Sequence, residues 1–296
     1  MTSAEYAFDE WIRNNAVQVL CRQKGIEFKA INTFTLHEGI DTESLPRIFT
    51  DFRKKIECQP ISFNEVEQIN LTTQTAPGLK RLDYYLFRSQ RIQSYKITRN
   101  GLLDPDDSSH FSPYLSIGAI SVKRIWKEVE RYEREFSANE STYWMKFELL
   151  WREFFIWNAL KYQNKIFLAG GLKGIAREVI DSESLFFDWI YGRTSDDFVN
   201  ANMNELRLTG WMSNRGRQIV ASYLIHDLNL DWRLGAKWFE QQLIDEEPCA
   251  NWGNWSYIAG VGNDPRPYRK FNLGKQRAEY DPQGEYVKKW LKNNEP

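Results

Sequence analysis

The chain has 296 residues, 39 Lys+Arg against 40 Asp+Glu, a formal net charge of -1 and 42% apolar content. That is enough for one large or two small domains with a substantial core, and it excludes a polyelectrolyte binder, so any nucleic-acid surface must be local. Cys21, Cys58 and Cys249 are odd in number, far apart and without a CxxC pair, and His37, His110 and His226 lack ligand spacing, so neither a disulfide framework nor a metal site is expected.

In chain order, residues 4–24 predict a helix, with Trp11, Ile12, Ala16, Val19 and Leu20 at helical spacing and Gly25 as the stop. IEFKAINTF, residues 26–34, predicts a strand. One helix and one strand cannot bury both faces of an α/β layer, so this beginning reads as the remnant of a larger sheet with an open edge. LPRIFTDFRKKIE predicts a short helix, and residues 58–79, with Pro60, Pro77 and Gly78, predict a linker. The expected division is 1–57, a linker 58–79 and a body 80–296.

A helical segment from Leu79 to Leu86 leads to SYKITRNGL and DPDDSSHFSPYLSIGAIS. Ser108, Ser109 and Ser112 cluster ahead of Pro113, which suits a first helical turn. Such a start either holds phosphate oxygens with its N–H and hydroxyl donors or is an ordinary N-cap; Tyr95, Lys96 and Arg99 nearby favour the first. Ser137 and Glu140 predict a capping box for the long helix STYWMKFELLWREFFIWNALKYQN. There Glu148, Trp151, Arg152 and Phe155 share one face, as functional groups or as an intrahelical Glu148–Arg152 pair beside a core indole. Residues 164–182 predict a loop with a short helix, and Ser184–Tyr191 and Val199–Leu208 predict helices, the second ended by Gly210. No stretch after Leu36 alternates at period two, so the body is expected to be all-α.

The stretch Thr209–Asp264 places Asn214, Arg215 and Arg217 at a helix start, Trp232, Trp252 and Trp255 downstream, and Asp245 and Glu247 ahead of Asn251. Arginine, carboxylate and amide among tryptophans suit a large, flat, partly anionic aromatic ligand in a mostly dry pocket. The 12 tryptophans concentrate in Trp144–Trp157 and Trp189–Trp255, which suggests stacking as well as packing. Arg266, Arg269, Lys270, Lys275 and Arg277 form a local basic run, either a nucleic-acid surface or a solvated face. Neither a signal peptide nor an apolar run of membrane-crossing length is read, so a cytoplasmic location away from membranes is expected.

The segments YKITRNGL, SSHFSPYLSIGAIS, STYWMKFELLWREFF, ANMNEL, TGWMSNRGRQIVASYL, DLNLDWRLGAKWFE, CANWGNWSYIAGVGNDPR, KQRAEYDP and GEYVKKWL, in this order over residues 80–292, resemble the FAD-binding helical domain of photolyases and cryptochromes, the DASH type in particular. FTLHE and the helix after it resemble that family's interdomain connection. The resemblance implies a mainly α fold, a helical FAD-binding domain preceded by a short helix–strand remnant of an α/β antenna domain. It implies FAD gripped at its pyrophosphate by Tyr95 and the run Ser108, Ser109, His110, Phe111 and Ser112. Arg152, Asn214, Arg217, Asp245 and Glu247 would surround the bent cofactor, with Arg217 paired to Asp245 and Asn251 facing flavin N5. Glu148, Trp151, Asn214, Arg215 and Gln276 would line the mouth where a lesion enters, with Arg99 near DNA phosphates. The implied activity is that of a deoxyribodipyrimidine photo-lyase: blue light excites reduced flavin, an electron passes to a cyclobutane pyrimidine dimer, the dimer splits and the electron returns. Single-stranded DNA is the implied preference.

Three departures from the family pattern set further expectations. Most of the antenna domain has no counterpart, so no antenna chromophore is expected on this chain, and the open strand edge implies a separately encoded N-terminal partner or self-association. The tryptophan chain for photoreduction matches Trp232 and Trp255, but its surface position matches Val179, which implies slow photoreduction or a route through Trp189 or a tyrosine. The usual TGxPxVDA loop reads TSDDFVNA, with Ser195, Asp197 and Asn200 at the changed positions, through drift or an altered partner surface. The rival reading is therefore a non-repairing flavin photoreceptor or redox sensor acting through a protein partner, and a third is a flavin-free fragment binding single strands through the basic run.

Overall fold

The computed structural model describes residues 2–3, 8–28, 30–31, 34–63, 76–266 and 268–292. Residues 4–7 of the expected first helix, 29 and 32–33 of the expected strand and 64–75 of the expected linker lie outside these, as does the Trp11 side chain.

Nearly all of the regular secondary structure among the described residues is helical. Strand β1 (Thr2–Ser3) and helix α1 (Phe8–Gln23) come first, and α1 stops where Gly25 takes φ +66°. Strand β2 (Ala30–Ile31) follows, then α2 (Phe49–Ile56), α3 (Pro77–Asp83), α4 (Tyr95–Thr98), α5 (Ser112–Ser116), α6 (Val122–Glu135) and α7 (Glu140–Tyr162). After two short 3-10 turns come α8 (Glu183–Ile190), α9 (Asp197–Thr209), α10 (Asn214–His226), α11 (Trp232–Gln242), α12 (Pro248–Ile258), α13 (Leu273–Tyr280) and α14 (Glu285–Lys292). The chain forms two compact units, residues 1–96 with 109–164, and residues 97–108 with 165–296.

Three readings of the sequence are corrected in the first unit. Of the expected strand at 26–34, Ala30–Ile31 is strand among the described residues, and it is not an orphan, because it pairs in parallel with Thr2–Ser3. Its continuation is claimed by α7 side chains instead of a sheet: Arg152 donates to the Phe34 carbonyl and the His37 N–H donates to Glu153 at 2.8 Å. Second, the expected linker ends early, since Pro77 already opens α3. Third, the box that starts α7 is Asn139 with Thr142, not Ser137 with Glu140. Asn139 is extended at φ -148°, its Oδ1 accepts the N–H groups of Ser141 and Thr142 at 2.8 and 2.9 Å, and Thr142 Oγ1 accepts the Asn139 N–H at 3.1 Å. Ser137 lies two residues too early to reach these donors.

Glu153 anchors the first unit. Buried at 1% exposure, it accepts from the His37 backbone, the His37 ring and the Trp157 indole. The described side chains of α1 behave differently: Ile12, Val17, Val19 and Leu20 are each about half exposed, so its helical spacing is real while its apolar face stays open.

In the second unit α9 packs on α10 and α14, and α11 packs on α12. At Gly235 of α11 an added Cβ would fall 2.1 Å from a Trp255 ring carbon, so this glycine is where the indole of α12 meets the backbone of α11. Gly210 ends α9 at φ +69°, as its position in the sequence predicts.

Asn139→Ala should lower stability by about 1 kcal/mol and Ser137→Ala by less than about 0.5 kcal/mol in urea unfolding. The reverse order would restore the original capping box.

Candidate functional site

Ser213 caps α10 by accepting the Gly216 N–H at 3.0 Å, and so places Asn214, Arg215 and Arg217 in the first turn. Arg217 Nη2 donates to both carboxylate oxygens of Asp245 at 2.9 Å each, and its Nε donates to the Met212 carbonyl at 2.9 Å. The Asp245 side chain is 2% exposed and that of Arg217 26%, so the carboxylate is sealed and the arginine is only partly covered. A buried carboxylate is tolerable only with such a partner.

Glu247 is spent differently. Its two oxygens accept the Cys249 and Ala250 N–H groups at 3.2 and 2.9 Å, making it the N-cap of α12. Asn251, one turn later, donates from Nδ2 to the Ala236 carbonyl at 2.9 Å, which fixes the orientation of its amide. Trp255 lies against Phe239 at 5.1 Å and Trp189 at 6.1 Å between ring centroids. Trp232 donates to the Ala169 carbonyl at 3.0 Å and meets Trp252 edge-on at 5.7 Å, while the Trp252 indole donates to Glu240. Val179 is 43% exposed.

The other face of the same helical turn is polar and aromatic. Arg215 lies over the Tyr280 ring at 4.9 Å, donates to Gln276 at 3.4 Å and has a buried Nε without a hydrogen-bond partner. Asn214 donates to Asn100 at 3.5 Å. Burial pushes the Tyr280 hydroxyl up, against the charges of Arg215 and Arg99. The second unit thus brings Arg99, Asn214, Arg215 and Gln276 together around Tyr280, a residue that the sequence reading missed.

In the first unit, Trp151 stacks on Phe49 with centroids 3.7 Å apart and 14° between planes, and remains half-buried. Glu148 is half-buried on the same helix. Arg152 is committed to the Phe34 carbonyl and lies 5.3 Å from the Phe34 ring, so it holds the connection. The serine run is not an ordinary N-cap, because the cap position of α5 is Phe111 and no side chain caps it. The run is positioned instead by Arg81, which donates to the Ser109 carbonyl at 2.8 Å. Phe111 and Tyr95 are buried against Tyr85, and His110 adopts φ +52°, a strained conformation for a residue with a Cβ. Ser108 belongs to the second unit's segment 97–108.

The sequence reading also missed Glu205, on α9 and 8% exposed. The Tyr286 hydroxyl lies 2.5 Å from its Oε2. Burial raises the Glu205 carboxyl to about 7, opposed by Tyr286 and by the charges of Lys289 and Arg217. The available signal was ANMNEL, where three asparagines (with Asn200) and a glutamate interrupt a helix that buries them all.

The changed loop is tied by its own substitutions. Asn200 Oδ1 accepts the Thr194 N–H and hydroxyl at 2.8 and 2.7 Å, its Nδ2 donates to the Thr194 carbonyl at 2.8 Å, and Asp196 caps α9.

Among the described residues no cluster of metal-ligating side chains occurs, and no helix is long and apolar enough to cross a membrane. The family model described as the FAD binding domain of DNA photolyase matches residues 144–295. Cryptochrome DASH of Synechocystis sp. is 44% identical over 90% of this chain and 62% of its own length, and that of Danio rerio 40% identical over 97% and 63%. The chain therefore spans about six tenths of the length of these relatives. The Synechocystis cryptochrome structure matches with a TM-score of 0.89 at 40% identity, over 98% of this chain and 68% of that one. An archaeal photolyase from Sulfolobus tokodaii, solved with two FAD molecules, matches with a TM-score of 0.76 at 26% identity, over 100% and 69%. The second unit's donor set suits a flavin: a partly covered arginine held by a sealed carboxylate, a fixed amide at Asn251 and the Trp255 indole one turn on.

Arg217→Ala should cost about 3 kcal/mol by stranding the Asp245 carboxylate, and Arg217→Ala with Asp245→Leu should cost less than the single change, in a double-mutant cycle read by chemical denaturation. Asn200→Asp should cost about 1–2 kcal/mol, because a carboxylate cannot donate to the Thr194 carbonyl.

Proposed function

The chain belongs to the photolyase and cryptochrome family and carries its FAD-binding domain, and from that premise we propose that it is the catalytic portion of a DASH-type DNA photolyase acting on cyclobutane pyrimidine dimers in single-stranded DNA. The observation that carries this reading is the first turn of α10. Arg217 turns to Asp245, and Arg215, two residues earlier, turns to Gln276 and Tyr280, so one helix start serves both a cofactor edge and a nucleic-acid platform.

Bound FAD, once reduced and excited by blue light, would supply the electron that opens the dimer and recover it afterwards. The protein's part is placement. Arg217 and Asp245 hold the isoalloxazine side, Asn251 presents its fixed amide towards N5, and Tyr95 with Ser108–Ser112 takes the pyrophosphate. Asn214 serves the cofactor and, with Arg99, Arg215 and Gln276, the DNA. Glu148 and Trp151 receive the lesion, and Trp151, with one face on Phe49, extends that stack to an extruded base. A net charge near zero favours single strands, since gripping a duplex needs more cations.

For photoreduction, Trp255 and Trp232 carry the hole. With aliphatic Val179 at the surface position, the buried Trp189 beside Trp255 takes over the route outward. The second reading, a photoreceptor or redox sensor working through a partner in the cytoplasm, is favoured by the changed Thr194–Ala201 loop and the open apolar face of α1, where a separately encoded antenna-domain protein or a second copy would bind.

The test is reconstitution with FAD, chemical reduction and illumination with dimer-containing oligothymidine. Recovery of thymine absorbance that falls at least about tenfold in Trp151→Ala would establish repair; flavin binding without recovery would favour the sensor. Trp189→Phe should slow photoreduction and Val179→Trp should speed it.

A further inference from the structure

Glu205 is a carboxyl placed inside the second unit. Its Oε2 lies 2.5 Å from the Tyr286 hydroxyl of α14, and that same hydroxyl lies 3.1 Å from Oδ1 of Asn202. The Asn202 amide is oriented by its Nδ2, which donates to the Phe198 carbonyl at 2.7 Å, so its oxygen faces Tyr286 as an acceptor. A phenol has one proton and cannot donate to two acceptors at once. The three groups are all satisfied only when Glu205 carries a proton and donates it to Tyr286, which then donates to Asn202. In the ionised state Tyr286 turns to Glu205, and Asn202 loses its donor.

The charges acting on this carboxyl come from α14 and α10, two of the three helices packed against α9. Lys289 and Tyr286 approach from α14, with Asp281 acting in turn on Tyr286, and Arg217 approaches from α10. Arg217 is also the partner of Asp245. When Glu205 is neutral, the guanidinium answers one carboxylate. When Glu205 is ionised, a second negative charge acts on the same guanidinium.

We propose that Glu205 is a positioning residue that sets, through Arg217, how readily the flavin holds the negative charge of its reduced form, and that the proton it shares with Tyr286 and Asn202 switches this setting. This rests on the placement of Arg217 beside the isoalloxazine. The sign follows from charge: protonating Glu205 makes the surroundings of Arg217 more positive, so reduction becomes easier as pH falls. The burial and opposing cations that bring this carboxyl to about 7 put the step where cytoplasmic pH varies.

The experiment is the flavin midpoint potential of the FAD-loaded protein from pH 5.5 to 9, with FAD per chain measured alongside. Wild type should show an added step near pH 7 above the flavin's own slope. Glu205→Gln, fixed as neutral, should lose the step and hold at pH 8.5 a more positive potential than wild type. Lys289→Met, at an exposed position, removes a cation that opposes protonation, so its step should move to higher pH. An infrared carbonyl band of a buried protonated carboxyl should be present in wild type below pH 7 and absent from Glu205→Gln. A wild-type profile without the step, or a Glu205→Gln profile equal to wild type, overturns the proposal; if Glu205→Gln holds no FAD, an unmoved step in Lys289→Met overturns it. Arg217→Gln separates the two layers: an unchanged potential there refutes the placement of Arg217, whereas a changed potential with an unchanged Glu205→Gln profile refutes only the role of Glu205.

Discussion

A carboxylate kept charged away from water needs a partner that compensates its lost hydration, and in the second unit Arg217 supplies it to Asp245. The pair joins two stretches separated by 28 positions, the start of α10 and the turn before α12. Once Asp245 is fixed, Glu247 two residues later caps α12, and the cap sets where Asn251 and Trp255 emerge on successive turns. Gly235 then lets the Trp255 indole settle on α11, and Trp255 reaches Trp189 of α8. One ion pair thus orders the amide, the aromatic contacts and the partly covered arginine that make the cofactor reading coherent.

The first unit uses the same device with different groups. Glu153 and Arg152, adjacent on α7, take opposite backbone groups of the segment Phe34–His37: the carboxylate accepts an N–H and the guanidinium donates to a carbonyl. Peptide groups that would otherwise need a strand partner are satisfied by a helix. This explains why α7 carries charged residues on a face that also presents Trp151 to Phe49.

Much of this was legible in the sequence, for identifiable reasons. Helical periodicity, Gly25 and Gly210 located element ends, and the pairing of Arg217 with Asp245 that the family resemblance implied is present in the structure. What escaped was decided by tertiary contact. Residues 26–34 have strand composition, but at the end of that stretch the Phe34 carbonyl accepts from Arg152 of α7. Ser137 and Glu140 have the right spacing for a box, yet Asn139 is the residue whose backbone turns extended. Arg152 reads as a ligand-facing cation, and its bond to the Phe34 carbonyl is one that spacing does not announce. Glu205 carries no motif, and only the packing of α9 between α10 and α14 makes it a buried acid.

The loop at Thr194–Ala201 shows how a departure from a family pattern is weighed physically. Losing a glycine and a proline removes backbone constraint, and random change would leave the turn looser. Here the constraint is replaced. Asn200 closes the turn on Thr194 with an acceptor and a donor, which an aspartate at that position cannot do, Asp196 satisfies the first N–H groups of α9, and the Ser195 hydroxyl lies 3.2 Å from that of Tyr223 on α10. Asn200 and Ser195, two of the residues that differ from the pattern, are the ones making these bonds. The bonds tie the start of α9, the helix that carries Glu205, to α10, the helix that carries Arg217. The changed loop is thus closed by bonds of its own before α9 begins, and Ser195 joins it to α10.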